Sequence, residues 1–312
     1  MEELKFIDIG SNLTDLMFRG IYNDKKQHDS DLEVVINRAI KGGLDKILIT
    51  SGSYKEAVEA LKICEELDPN CELLFTTVGV HPTRTKDCIV HSDNYLKMMK
   101  DLIRMNSCRI KAIGELGLDS DRLHFSSMKV QEKYFEKQFK LLEEFSLPMF
   151  LHIRGDQDCY SKFIKIIEEK KNIWIKRGGV AHSFTGNLDQ LNMILETGLE
   201  IGINGCSLKT QDNLNVVNNI PLNKLHIETD SPWCDIKPTH SSYSLIETHF
   251  PQVNKPSKWE KDKLVKGRNE PVKIIQVAEI LFKNYSENSK LSFNQFINEI
   301  YNNTLKMYFK VI

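Results

Sequence analysis

Short runs of apolar, β-branched residues alternate along the chain with longer stretches whose apolar residues recur at helical spacing. The short runs are Phe6–Ile9, Lys46–Thr50, Leu74–Val80, Ile110–Gly114, Pro148–Leu151, Gly179–Ala181, Glu200–Ile203 and Leu225–Thr229, and they predict buried strands. The longer stretches, Asp31–Lys41, Tyr54–Leu67, Asn94–Met105, Met128–Phe145, Tyr160–Lys170 and Leu188–Thr197, predict amphipathic helices. In the clearest of them Met128, Phe135, Phe139 and Leu142 share one stripe, with Ser127 as N-cap. Glycines at Gly42-Gly43, Gly178-Gly179 and Gly198 mark returns from helix to strand. The rhythm is βα throughout. Eight strands are the number that closes a (β/α)8 TIM barrel, so the predicted class is α/β, with one barrel domain over residues 1–312.

After the eighth strand the rhythm breaks. Ser231–Gly267 carries Pro232, Pro238, Pro251 and Pro256 with Trp233 and Trp259, which is too proline-rich for one regular element. A long connection of this kind is often functional, and it is read as a substrate loop. Helical pattern resumes behind Arg268-Asn269-Glu270-Pro271, with Asn269 as N-cap and Pro271 in the first turn of a helix toward Lys283. A last helix is predicted from Ser292 to about Phe309.

Charge and composition narrow the class only slightly. With 42 basic and 43 acidic residues the net charge is −1, so an anionic partner must be met by a local basic patch or by metal ions. No run approaches membrane-spanning length, and no charged-then-apolar leader precedes Phe6. Seven cysteines without CxxC spacing fit reduced thiols better than a disulfide framework or zinc finger. The expected setting is the cytoplasm, with the nucleus open to it.

Strand C-termini of such a barrel converge on one face. Here they carry Asp8, Thr50, His81, Glu115, His152, His182, Asn204 and Asp230. A single histidine or aspartate at a strand end is more often a structural hydrogen-bonding residue. Six His, Asp or Glu among eight rim positions call for another explanation. Imidazole nitrogen and carboxylate oxygen without thiolate describe a site for Zn²⁺, Mg²⁺ or Mn²⁺. Glu115, His152, His182 and Asp230 suffice for one ion, or for two with Glu115 between them, and the chemistry implied is hydrolysis. Asp230 doubles as ligand and proton acceptor, and Asp8 is a further ligand if it does not serve a structural turn.

Other catalytic templates are absent. There is no P-loop, HExxH or GxSxG, which leaves no nucleotide cofactor and no serine nucleophile. Cys206 and Cys234 lie near rim segments without a nucleophile's context, so they are read as packing residues.

The stretches FIDIGSNLTDLMFRGIY, VGVHPTR, AIGELGLDSDR, LPMFLHIR, GGVAHSFTG, IGINGCSLKT, IETDSPW, RNEP and YNNTLK, spanning about Phe6 to Lys306, resemble the TatD-type deoxyribonucleases, closest to their eukaryotic branch. These are metal-dependent hydrolases of the amidohydrolase-like barrel group. The resemblance implies that Glu115, His152, His182 and Asp230 match the family's metal ligands, and that Asp230 and Glu115 are catalytic. Many relatives open with HxH or DxH. Here the first strand reads Asp8-Ile9-Gly10, so its metal position should be weaker.

The resemblance also implies a 3′-to-5′ exonuclease acting on single-stranded DNA and 3′ ends, and leaves RNA open as a substrate. His81 is a candidate to hydrogen-bond phosphate, against a structural hydrogen bond, and Arg154 to pair with phosphate or to brace Glu115. Trp233 is the better placed of two tryptophans for stacking on bases. Lys255–Lys273, with Arg268, reads as a patch for the nucleic-acid backbone against the alternative of a solvated loop. From the residues alone the reading stops at a metal-assisted hydrolase. Amides, phosphotriesters and aminoacyl-tRNA esters remain rival substrates, and a barrel that only binds nucleic acid or protein is the non-enzymatic alternative.

Overall fold

Eight strands among the described residues pair in chain order into one parallel sheet: β1 (Phe6–Ser11), β2 (Leu44–Ile49), β3 (Leu74–Val78), β4 (Ile110–Asp119), β5 (Met149–Arg154), β6 (Gly179–Ala181), β7 (Glu200–Ile203) and β8 (Leu225–Ile227). The structure is a computed structural model describing residues 4–86, 88, 94–285 and 290–309. Helices α1 (Leu32–Lys41), α2 (Tyr54–Leu67), α3 (Asn94–Met105), α4 (Met128–Leu142), α5 (Gln157–Glu169), α6 (Lys171–Trp174), α7 (Leu188–Thr197), α8 (Gln211–Val217), α9 (Ile274–Tyr285) and α10 (Phe293–Tyr308) complete the (β/α)8 architecture. No helix of the described residues is long and apolar enough to cross a membrane.

Inside the barrel Ile7, Ile9, Leu48, Phe75, Ala112, Phe150 and Val180 form a packed cluster with Tyr308. Tyr301, Leu305 and Phe309 pack against it, so the C-terminal helix seals the end of the barrel at the strand N-termini. At that seal His226 meets Thr304 Oγ1 at 2.9 Å and Glu200 Oε2 at 2.6 Å. These pairings satisfy a buried imidazole well away from the rim. Chemistry is left to the other end.

Two strands run further than their apolar runs predict. β4 continues past Gly114 to Asp119, and β5 continues past Leu151 to Arg154, because the two pair with each other beyond that point: Gly117 faces His152 and Asp119 faces Arg154. Glu115 is skipped in this register, which runs from Gly114–Phe150 to Leu116–Leu151. It is a bulge residue within the strand, and a bulge re-aims a side chain. Gly114 makes the bulge possible, since a Cβ there would come within 2.2 Å of Phe150 O and its φ is 157°.

The seam between β8 and β1 is closed by few backbone bonds, Asp230 N–H to Gly10 O and Asn12 N–H to Ser231 O, both 2.7 Å. Asp8 reinforces it. Its carboxylate accepts Thr229 N–H at 2.9 Å and Thr229 Oγ1–H at 2.5 Å, with Gly10 N–H at 3.2 Å.

The segment after β8 is not structureless. Its short turns and the ladder of Gln252–Val253 with Leu264–Val265 bury Ile236, Ile246, Val253, Leu264 and Val265. Asn269 is not a helix cap as predicted. Its amide holds Thr229 O at 2.8 Å, while Pro271–Lys273 forms a 3-10 turn before α9. The lysine run is divided: Lys273 is buried on Asp235 at 2.5 Å, whereas Lys255, Lys258, Lys261 and Lys266 are exposed.

Arg268 does not reach the substrate side, which corrects its reading as a phosphate contact. Its side chain is 0% exposed, and its guanidinium is engaged by Asp31 at 2.8 and 2.6 Å and by Glu270 at 2.8 Å. Trp259 joins the same network, donating to Asp31 at 2.7 Å and stacking on His28, so it is a brace and not a base-stacking face. Removing one partner of such a buried group strands the other charges. Arg268→Ala is therefore expected to lower unfolding stability by about 3–5 kcal/mol in urea titration.

Candidate metal centre and active site

The bulge in β4 turns Glu115 into the C-terminal mouth of the barrel, where β5 and β6 present His152 and His182. Glu115 Oε1 lies 2.8 Å from His152 Nδ1, 2.7 Å from His182 Nε2 and 3.4 Å from His81 Nε2. One carboxylate oxygen thus faces three imidazoles at a buried floor. Ligand atoms of His81, Glu115 and His152 all fall within 4.8 Å of one another, a spacing that fits a metal ion. The donor set is imidazole nitrogen and carboxylate oxygen, as a hard or borderline divalent cation requires.

The electrostatics follow from burial and this crowding. Burial works against the Glu115 charge, but His81 and His182 and the hydrogen bonds from His152 and His182 hold its carboxyl well below the ordinary range. Burial likewise opposes charge on His182, yet Glu115 and Glu228 raise it well above the usual histidine value. His152 is also raised, burial being outweighed by Asp119 and Glu115. Burial pushes the His81 imidazole down to about 3, with Glu115 offsetting only part of the effect.

His81 joins the cluster from its edge. Its Nδ1 accepts Thr83 N–H at 3.1 Å, which leaves the ring proton on Nε2 facing the cavity. Asp230 lines the same cavity in a left-handed conformation, φ 53°. Its Oδ1 accepts Asn12 Nδ2–H at 2.9 Å, and its Oδ2 accepts Cys234 Sγ–H at 3.3 Å. Burial pushes the Asp230 carboxyl up to about 6, against the pull of His182 and with help from Glu228 and Glu115.

The cavity, of about 500 Å3, is also lined by Arg154, Arg122 and Trp233, the last 49% exposed at the mouth. Cys206 and Cys234 line it as well, so they are cavity residues and not the packing residues expected from sequence. Asp8 stands apart. Both its oxygens are committed to Thr229 across the barrel seam, and burial pushes its carboxyl up to about 8. Its structural role therefore replaces the expected ligand role.

Two residues escaped the sequence reading. Asp119, buried, accepts from His152 Nε2 at 3.2 Å and from Asp121 and Arg122 N–H at 3.0 and 3.1 Å. Glu228, also buried, accepts Ser183 N–H at 2.5 Å and Asn204 Nδ2–H at 3.1 Å. Both sit inside quoted motifs, GELGLD and IETDSPW, beside the residues that drew attention.

A parallel barrel with a histidine–carboxylate cluster at its strand C-termini defines a metal-dependent hydrolase. Residues 7–308 match the family described as TatD related DNase, and the chain belongs to that family. It is 39% identical over 288 residues to Deoxyribonuclease Tat-D of Schizosaccharomyces pombe, covering 90% of this chain and 89% of the relative. It is 34% identical to the 3'-5' ssDNA/RNA exonuclease TatD of Yersinia pseudotuberculosis, over 79% of this chain and 88% of that one. The crystal structure of a TatD family hydrolase from Entamoeba histolytica superposes with a TM-score of 0.88 at 36% identity, covering 99% of each chain.

Proposed function

We propose that this TatD-family hydrolase trims single-stranded DNA from its 3′ end, releasing mononucleotides, and that it accepts RNA at the same site. The observation that carries the reading is the convergence of His81, His152 and His182 on Glu115 at the floor of a cavity open beside Trp233. Glu115, His152, His182 and Asp230 would hold one or two divalent ions, Mg²⁺, Mn²⁺ or Zn²⁺. When bound, such ions lower the pKa of water and offset the charge gathering on a phosphodiester.

The chain's own groups do the rest. Asp230, with a carboxyl raised toward neutrality, takes the proton of the attacking water as the new P–O bond forms and the bond to the 3′ oxygen breaks. His81 offers Nε2–H to a phosphate oxygen, and Arg154 adds a planar donor fork at the cavity wall. Trp233 stacks on an unpaired base, and the loop at 231–267, with its exposed lysines, walls the strand. Seven free cysteines are compatible with work in the reducing cytoplasm, with the nucleus open to it.

The test is nucleotide release from single-stranded DNA labelled at either end. Early release of the 3′ label as mononucleotide is expected. Early release of the 5′ label, or of internal fragments, would overturn the polarity. Base stacking is worth about 1–3 kcal/mol. Trp233→Ala is therefore expected to raise KM for a single strand by about five- to a hundredfold while leaving hydrolysis of bis(p-nitrophenyl) phosphate unchanged.

A further inference from the structure

The two innermost histidines are built alike. Each turns one ring nitrogen toward Glu115 and the other toward a second buried carboxylate. His152 Nε2 lies 3.2 Å from Asp119 Oδ2, and His182 Nδ1 lies 3.4 Å from Glu228 Oε2. The second pair holds an imbalance. His182 Nδ1 and Glu228 Oε2 are both buried without a hydrogen-bond partner, and they face one another. A buried donor and a buried acceptor left apart are both costly, so a contact between the two is favoured. The rest of Glu228 is pinned, because Oε1 is occupied by Ser183 N–H and Asn204.

Gly10 supplies the second, independent observation. A Cβ at Gly10 would stand 2.5 Å from Glu228 Oε2 and 3.3 Å from Phe150 Cζ. The first-strand position that carries no possible ligand is therefore empty of side chain because a carboxylate from the end of β8 fills the space.

We infer that Glu228 is a positioning residue for the metal centre: its Oε2 holds the Nδ1 proton of His182 and so fixes the tautomer whose Nε2 lone pair is free for an ion. The inference rests on the reading of His182 as a metal-holding residue. When Nε2 offers its lone pair to an ion, the neutral ring carries its one proton on Nδ1, and that proton needs an acceptor. Glu228 is the carboxylate on that side. Its partner role parallels that of Asp119 behind His152, and outer partners of metal-bound histidines tune affinity strongly.

The experiment measures Zn²⁺ affinity at fixed pH by competition with a chromophoric chelator. Glu228→Gln keeps the shape and an acceptor for Ser183 but presents an amide N–H to His182 Nδ1, which selects the tautomer protonated on Nε2. Its affinity is expected to fall about tenfold to a hundredfold. Gly10→Ala, which displaces the carboxylate without altering it, is expected to weaken binding as well. The double variant Gly10→Ala/Glu228→Gln should then lose no more than Glu228→Gln alone, since both changes act on one contact. In the Zn²⁺-loaded wild type the imidazole ¹⁵N resonances of His182 should report a proton on Nδ1.

Wild-type affinity in Glu228→Gln alongside a large loss in His182→Ala would overturn the inference and leave the metal reading standing. Independent, multiplying losses from Gly10→Ala and Glu228→Gln would overturn it too. Unchanged affinity in His182→Ala would overturn the metal reading, and the inference with it.

Discussion

Glu115→Gln is expected to lower DNA hydrolysis at least about a thousandfold, because the substitution removes the one charge around which the centre is assembled. Glu115 Oε1 meets His152, His182 and His81 at 2.8, 2.7 and 3.4 Å. Glutamine is close in shape, so the barrel should fold. Its neutral amide cannot balance a divalent ion, and its N–H₂ group can only donate, whereas the Glu115 carboxylate accepts from His152 and His182. The loss should therefore appear in metal content and in kcat together, read by elemental analysis and single-turnover hydrolysis. A fall in rate with full metal content would move Glu115 from holding the ion to some other role.

The second large effect concerns Asp230. Asp230→Asn is expected to lower the rate by about 10²–10⁴-fold, the range for loss of a positioned proton acceptor. The carboxyl lies near 6 through burial, opposed by His182 and helped by Glu228 and Glu115. His152 and His182 also hold their protons above the ordinary range. The sign is the same for all three groups. Each carries a proton below its raised pKa and must lose it to hold a cation, so metal uptake releases protons and apparent affinity rises with pH. Calorimetry in two buffers of different ionisation enthalpy near pH 6 should show this release, reduced in Asp230→Asn. Activity should climb over about pH 5 to 8 in limiting metal, and a flat profile would count against His152 and His182 as ligands.

Much of this is legible in the sequence. Strand after helix after strand announces a barrel, and a barrel brings together Glu115, His152 and His182 whatever their separation in sequence. The bulge that aims Glu115 was not legible, because it depends on β4 slipping one residue against β5 at Gly114. Asp8 misled for a similar reason. Its partner Thr229 is 221 residues away, across a seam that no local pattern reveals. Arg268 stands in a run of lysines that reads as solvated surface, yet Asp31, which claims it, lies 237 positions earlier. Glu228 was hidden by its neighbour: in IETDSPW the aspartate reaches the rim, and the glutamate two residues before it points into the barrel beneath Gly10. Local chemistry can be read from sequence where topology gathers it, while the partner that neutralises a buried charge depends on long-range packing.

This rim belongs to a metal-dependent phosphodiesterase. The most direct measurement strips the protein with chelator, restores Mg²⁺, Mn²⁺ or Zn²⁺ one at a time, and follows nucleotide release from 3′-labelled single-stranded DNA in wild type and Glu115→Gln. Release that vanishes with chelator, returns with at least one ion in wild type and stays absent in the variant is the expected result. Equal release by the stripped protein, or full activity in Glu115→Gln, would contradict the claim.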